Sequence, residues 1–214
     1  MDWGYLFGEL GGGMVVTLEI FFLTLLFSLP LGLVIAFGRM SKNAIVRNVA
    51  KFYISVMRGT PLMLQLLVVF FAPGILFHIP FSSRLAATII AFSLNYAAYF
   101  AEIYRGGIES MPIGQYEAAT VLGYTKNQTF GRIILPQVVK RILPSVTNEI
   151  ITLVKDTSLA FAIGTVEMFT QAKMIGAAKT SMIPYFVAGL FYYVFNMLVA
   201  FVMERIEKKL NYYH

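Results

Sequence analysis

From Ile20 to Gly38 the chain carries no charged side chain, and a helix needs only about 20 mainly apolar residues to cross a bilayer. No other feature constrains the fold as much, because a chain inside lipid must satisfy its own backbone hydrogen bonds and so passes only as a helix or a closed barrel. Gly59 to Ser83, Leu85 to Ala101 and Thr180 to Met203 are equally free of Asp, Glu, Lys and Arg. With 58% hydrophobic and 13% charged residues and a mean hydropathy of +0.72, there is too little polar surface for a soluble globule of this size. These long runs predict an all-α integral membrane protein.

Ile133 to Gly164 is also long and apolar, but it contains Lys140, Arg141, Glu149, Lys155 and Asp156. It reads as a further span, because otherwise the flanking loops could not lie where their charges place them. One transmembrane domain over residues 1–214 is therefore expected, with five spans at about 14–38, 43–77, 84–108, 133–163 and 183–205. Lys and Arg collect on the cytoplasmic side of membrane proteins. Arg39, Lys42, Arg47, Lys51 and Arg58 follow the first span, Arg105, Lys126, Arg132, Lys140 and Arg141 follow the third, and Arg205, Lys208 and Lys209 follow the last. Only Arg84, Lys173 and Lys179 lie opposite, with Lys155 inside a span. The N-terminus is expected outside and the C-terminus in the cytoplasm. The net charge of +6 is thus a topology signal and not a sign of nucleic-acid binding. MDWGYLFGEL lacks the basic start of a cleavable signal, so the first apolar segment is expected to remain in the mature chain.

Enzymatic classes fit poorly. There is no cysteine, and the only histidines are His78 and His214, so neither a thiolate site nor a histidine metal cluster is expected. Asp2 and Asp156 are the only aspartates, and H-E-x-x-H and G-x-S-x-G are absent, which argues against an intramembrane hydrolase. No catalytic residue, metal ligand or cofactor-binding residue is assigned. A plain membrane anchor would leave the charges of the fourth span unexplained.

The segment GQYEAATVLGY stands apart as a polar stretch between the third and fourth spans. Pro112 and Gly114 interrupt the exit from the third helix, and Gly123 closes a short helix over about 114–124. Ala118 and Ala119 let another surface approach closely, and Glu117 offers a carboxylate. Such a helix suits docking to a cytoplasmic partner.

Glu117, Ala118, Ala119, Gly123, Ile133, Leu135 and Pro136 match, at every position, the pattern Glu-Ala-Ala, three residues, Gly, nine residues, Ile, one residue, Leu-Pro. This resembles the EAA loop of the membrane-spanning subunits of binding-protein-dependent ATP-binding-cassette importers. RGTPLMLQ (Arg58 to Gln65), NYAAYFAEIYRGGI (Asn95 to Ile108) and LVKDTSLAFAIG (Leu153 to Gly164) are similar to the polar amino acid permease branch, from about the first span to the last. The resemblance implies a type I importer permease in a bacterial inner membrane. In that reading Glu117, Ala118, Ala119 and Gly123 form the coupling helix, seated on a separate ATPase. The chain has no G-x-x-x-x-G-K-[ST] phosphate loop, so ATP and Mg are expected on that partner. The resemblance further implies pairing with a second copy or a related permease. An extracytoplasmic solute-binding protein would deliver the amino acid to outer loops around residues 77–84 and 167–181.

Polar groups inside a membrane are costly and usually face a cavity or one another. Ser145, Asn148, Glu149, Thr152, Lys155 and Asp156 recur at helical spacing on the fourth span, as do Thr88, Asn95, Tyr99 and Glu102 on the third. Glu19 stands on the first span with Thr17 and Thr24 nearby. Asn95, Tyr99, Asp156, Thr157, Ser158 and Glu19 are the candidate substrate residues. Glu102 and Glu149 read as structural partners of Arg105, Arg58 or Arg141. Glu19 gains most by meeting a cation, so Glu19 and Asp156 are expected to select arginine, histidine or lysine. A glutamine or glutamate permease is the alternative, and an ATP-independent transporter or channel subunit a more distant one.

Overall fold

The computed structural model describes residues 2–210, all of whose regular elements are helical; His214 lies outside them. The first helix, α1, runs Trp3–Arg39, starting well before the expected residue 14. Asp2 caps it, accepting a hydrogen bond from the Gly4 amide at 2.9 Å, and Leu6 and Leu10 anchor the added turns in a buried cluster with Met168 and Ala188.

The expected single span over 43–77 is broken. Ala44–Gly59 (α2) and Leu62–Phe77 (α3) meet at a bend of 110°. Pro61 supplies no amide hydrogen and holds Thr60 in an extended conformation, φ −123° and ψ 150°, so the helix cannot continue through it.

Arg84–Glu109 (α4) is capped by Ser83 and is the innermost helix, with Phe92, Tyr96 and Phe100 buried on it. It packs along α1, where Gly32 lets the two backbones close: a Cβ there would lie 2.9 Å from Phe100 Cβ and 3.0 Å from the Ala97 carbonyl oxygen. Small residues at such crossings are how membrane helices gain dispersion contact without a hydrophobic drive.

Ile113–Val121 (α5) forms where the short helix was expected. The Tyr124 amide bonds the Ala119 carbonyl and the Gly123 amide that of Thr120, both at 3.0 Å. Gly123, at φ +79°, supplies the left-handed turn this closure requires. A single turn, Lys126–Gln128 (α6), then passes through a π-helical stretch, Thr129–Ile134, into Leu135–Asp156 (α7). A 3₁₀ stretch, Thr157–Ile163, follows and ends at Gly164.

Met168–Lys179 (α8) and Ile183–Leu210 (α9) complete the chain. The expected outer loop over residues 167–181 is therefore mostly a helix packed on α1 and α9. Glu167, fully buried, caps it by accepting from the Phe169 and Thr170 amides at 2.7 and 2.8 Å. The Tyr192 hydroxyl donates to the same carboxylate at 2.9 Å.

Among the described residues, α1, α4 and α9 are long and apolar enough to cross a membrane, and α2 with α3 passes only as a bent pair. The charged α7, read above as a fourth span, is not among them.

Candidate substrate cavity and partner-facing helix

Two places on the fold gather polar chemistry. The first lies where α7 ends against α4. Along α7, Ser145, Asn148, Thr152 and Lys155 are exposed, while Glu149 and Asp156 are half-buried beside them. Glu149 and Asp156 are seven residues apart, two helical turns, and so share a face. The Tyr96 hydroxyl donates to Asp156 Oδ2 at 2.7 Å, fixing that carboxylate from α4. One turn along α4 stands Tyr99, with the Arg58 guanidinium 5.2 Å from its ring centroid. Arg58 and Asp156 both act electrostatically on Glu149. Two carboxylates, one guanidinium and two tyrosines thus converge from α2, α4 and α7.

The expected residues divide around this cluster. Asp156 and Tyr99 belong to it. Asn95, on the same helix, is buried and committed elsewhere: its amide donates to the Met57 carbonyl at 3.0 Å and to Gln65 Oε1 at 2.9 Å, bracing the bend between α2 and α3. The Thr157 and Ser158 hydroxyls donate back to the carbonyls of Val154 and Lys155, at 2.8 and 2.7 Å, and help shape the change to 3₁₀ geometry.

Glu19 is exposed and makes no hydrogen bond or ion pair among the described residues. It shares a stripe with the exposed Val15, Phe22 and Leu26, whereas Thr17 and Thr24 are buried on the opposite side of α1. Thr88 lies apart from the cluster as well, its hydroxyl 3.0 Å from that of Thr165.

Glu102 pairs with Arg105 at 2.6 Å, one of the partners expected for it, and also approaches Arg39 at 3.9 Å. Arg141, another of those partners, instead donates to the Ser110 carbonyl at 2.8 Å. Arg58, Tyr96 and Glu149 are the site members that sequence reasoning set aside or passed over. The signal available for Arg58 was a basic residue directly before a helix-breaking Gly-Thr-Pro.

The second place is α5. Glu117 and Ala118 are exposed, as are Ile113, Val121 and Leu122 at 74%, 88% and 73%. Ala119, expected on the docking face with Ala118, is instead 1% exposed and turned into the protein. The outward face therefore carries Glu117, Ala118 and Thr120 beside large apolar side chains, which water solvates poorly and a protein partner would cover. Val121 and Leu122 were legible in the sequence as apolar residues on a short polar helix.

Comparison with known proteins agrees with this architecture. Residues 28–212 match the family described as "Binding-protein-dependent transport system inner membrane component". The chain is 37% identical to a permease protein of Rickettsia felis named for a glutamine transport system, covering 92% of this chain and 91% of that one. It is 39% identical to the L-cystine transport system permease protein of Bacillus subtilis, covering 95% and 87%. It is 38% identical to that organism's arginine transport system permease protein, covering 93% and 91%. A crystal structure of an amino acid ABC transporter with histidines superposes with a TM-score of 0.87 at 32% identity, covering 94% of each chain.

Proposed function

Because the chain belongs to the family of binding-protein-dependent transport system inner membrane components, we propose that it imports basic amino acids by alternating access. It is the permease subunit of an amino acid ABC importer, an integral protein of the bacterial inner membrane with the type I permease fold. Hydrolysis belongs to separate ATPase subunits, which hold ATP and Mg. The proposal adds five crossings with the N-terminus outside, a second permease copy or a related one, and a solute-binding protein that loads the outer side.

One observation carries the substrate reading: in a chain this apolar, α7 presents Ser145, Asn148, Thr152 and Lys155 to the surface, with Glu149 and Asp156 beside them. Lipid would penalise such a face by several kcal/mol, so it borders a water-filled path. Within that path Glu149 and Asp156 attract an ammonium or guanidinium, and Arg58, held over Tyr99, suits the α-carboxylate. Glu19 adds a further negative charge on an exposed stripe of α1, placed to meet a cationic side chain once a second permease closes the path. On the cytoplasmic side, α5 seats on the ATPase through Glu117, Ala118, Val121 and Leu122, with Gly123 closing the helix.

A glutamine permease is the second reading. It is favoured by the relative named for glutamine transport, and the same carboxylates and guanidinium would hold the α-ammonium and α-carboxylate that every amino acid carries. The deciding experiment is ATP-dependent uptake of labelled arginine, glutamine and glutamate into vesicles holding this chain, its ATPase and its binding protein. Preferential arginine uptake supports the basic-substrate reading, and preferential glutamine uptake replaces it with the second. Uptake that ignores ATP would sink the importer reading altogether.

A further inference from the structure

The α5 helix and the substrate-facing α7 are joined by a pair of side chains that neither role uses. Gln115, on the inner face of α5, donates its amide to Gln137 Oε1 at 2.8 Å, and Gln137, in the first turns of α7, donates back to Gln115 Oε1 at the same distance. Gln137 also donates to the Ile133 carbonyl at 2.7 Å, inside the π-helical stretch. A π turn carries one more residue per hydrogen-bonded loop than an α turn and occurs mostly as a short interruption of α-helical geometry. Backbone continuity between the two helices therefore runs through a turn, the single-turn α6 and the π-helical stretch, and not through one regular helix.

The amide pair bypasses that link. Each Gln satisfies the donor and acceptor of the other in a closed, half-buried ring, and Ala119, buried one turn along α5, holds the same face inward. From Gln137, α7 runs as one helix to Glu149 and Asp156, with Gly107 of α4 closely packed against Ile142 on the way.

We propose that Gln115 and Gln137 are positioning residues that make α5 and α7 move as one body, so that displacement of α5 by an ATPase reaches the carboxylates of the substrate path. This rests on the coupling role given to α5 above. Without the pair, α5 would still dock, because Glu117 and Val121 lie on the opposite side of the helix from Gln115, but its movement would be absorbed in the π-helical stretch.

The test uses the complete transporter in proteoliposomes, measuring ATP hydrolysed and labelled amino acid taken up in the same vesicles. In Gln137→Leu, ATPase activity stimulated by the binding protein is expected to stay near the wild-type value while uptake per ATP falls roughly tenfold, the equivalent of about 1.4 kcal/mol. The Gln115→Glu, Gln137→Lys double variant, which replaces the amide ring with an ion pair, is expected to recover most of the lost coupling. A merely structural defect would lower both activities together and would not be rescued.

Proportional loss of hydrolysis and uptake in Gln137→Leu, unchanged coupling, or failure of the double variant to restore it would each overturn the proposal. If the wild-type chain itself shows no dependence of uptake on the ATPase, the fault lies with the importer reading and not with the amide pair.

Discussion

Substituting Ala for Gly12 and for Gly13, neighbours on one turn of α1, is expected to move stability in opposite directions. A Cβ at Gly12 meets nothing within 4 Å, so Gly12→Ala gains only the helix propensity of alanine, about 1 kcal/mol. A Cβ at Gly13 would lie 2.7 Å from Met168 Cα and 2.9 Å from Met168 N. Both are backbone atoms, and Met168 begins α8 directly after the buried cap Glu167, so the neighbour cannot swing aside. Forcing the helices apart costs about 1–3 kcal/mol. It also stretches the 3.3 Å bond from the Met168 amide to Thr17 Oγ1, a further loss of about 1 kcal/mol. Set against the same propensity gain, Gly13→Ala should destabilise by about 1–3 kcal/mol. For a chain of this length each kcal/mol shifts the midpoint by about 2–4 °C, so Gly12→Ala should melt about 2–4 °C higher and Gly13→Ala several degrees lower. Thermal unfolding of the detergent-solubilised proteins, followed by circular dichroism, reads both. Equal shifts, or a Gly13→Ala variant as stable as wild type, would refute the close approach of α1 and α8.

Glu117→Arg reverses the one charge on the outward face of α5 and should uncouple ATP hydrolysis from transport while the chain still inserts; normal uptake by that variant counts against the docking role. Glu19→Gln should weaken arginine uptake more than glutamine uptake, whereas equal effects on the two would make Glu19 a structural residue. Asn95→Leu removes both bonds at the α2–α3 bend and leaves Gln65 Oε1 without its donor, a loss of about 1–2 kcal/mol. It should show as a lower melting midpoint, and a midpoint equal to wild type would mean the bend holds without it.

Much of this protein follows from sequence-local physics. The charge-free runs have no stable environment but lipid, and lipid leaves the backbone only its own hydrogen bonds, so an all-helical membrane chain is dictated before any contact is known. The short α5 is equally local, because its stop depends on Gly123 adopting a conformation that costs other residues a steric penalty. The spacing from Glu117 to Pro136 carried the family, and that family is the one matched.

Only the tertiary structure decided which side of each helix is used. Helical periodicity says that Ala118 and Ala119 stand about 100° apart, and Glu19 and Thr17 about 160°, but not which of each pair a neighbouring helix covers. Ala119 turned inward and Glu19 outward because of what packs beside them. Asn95 matched a cavity residue by spacing, yet it braces the bend, since Met57 and Gln65 come within reach only after the chain turns through 110° at Pro61. Gln115 and Gln137 lie 22 residues apart, on either side of a turn and a π-helical stretch. Their meeting depends on the path of the backbone between them, and a partnership of that kind is fixed by three-dimensional packing, which no local pattern encodes.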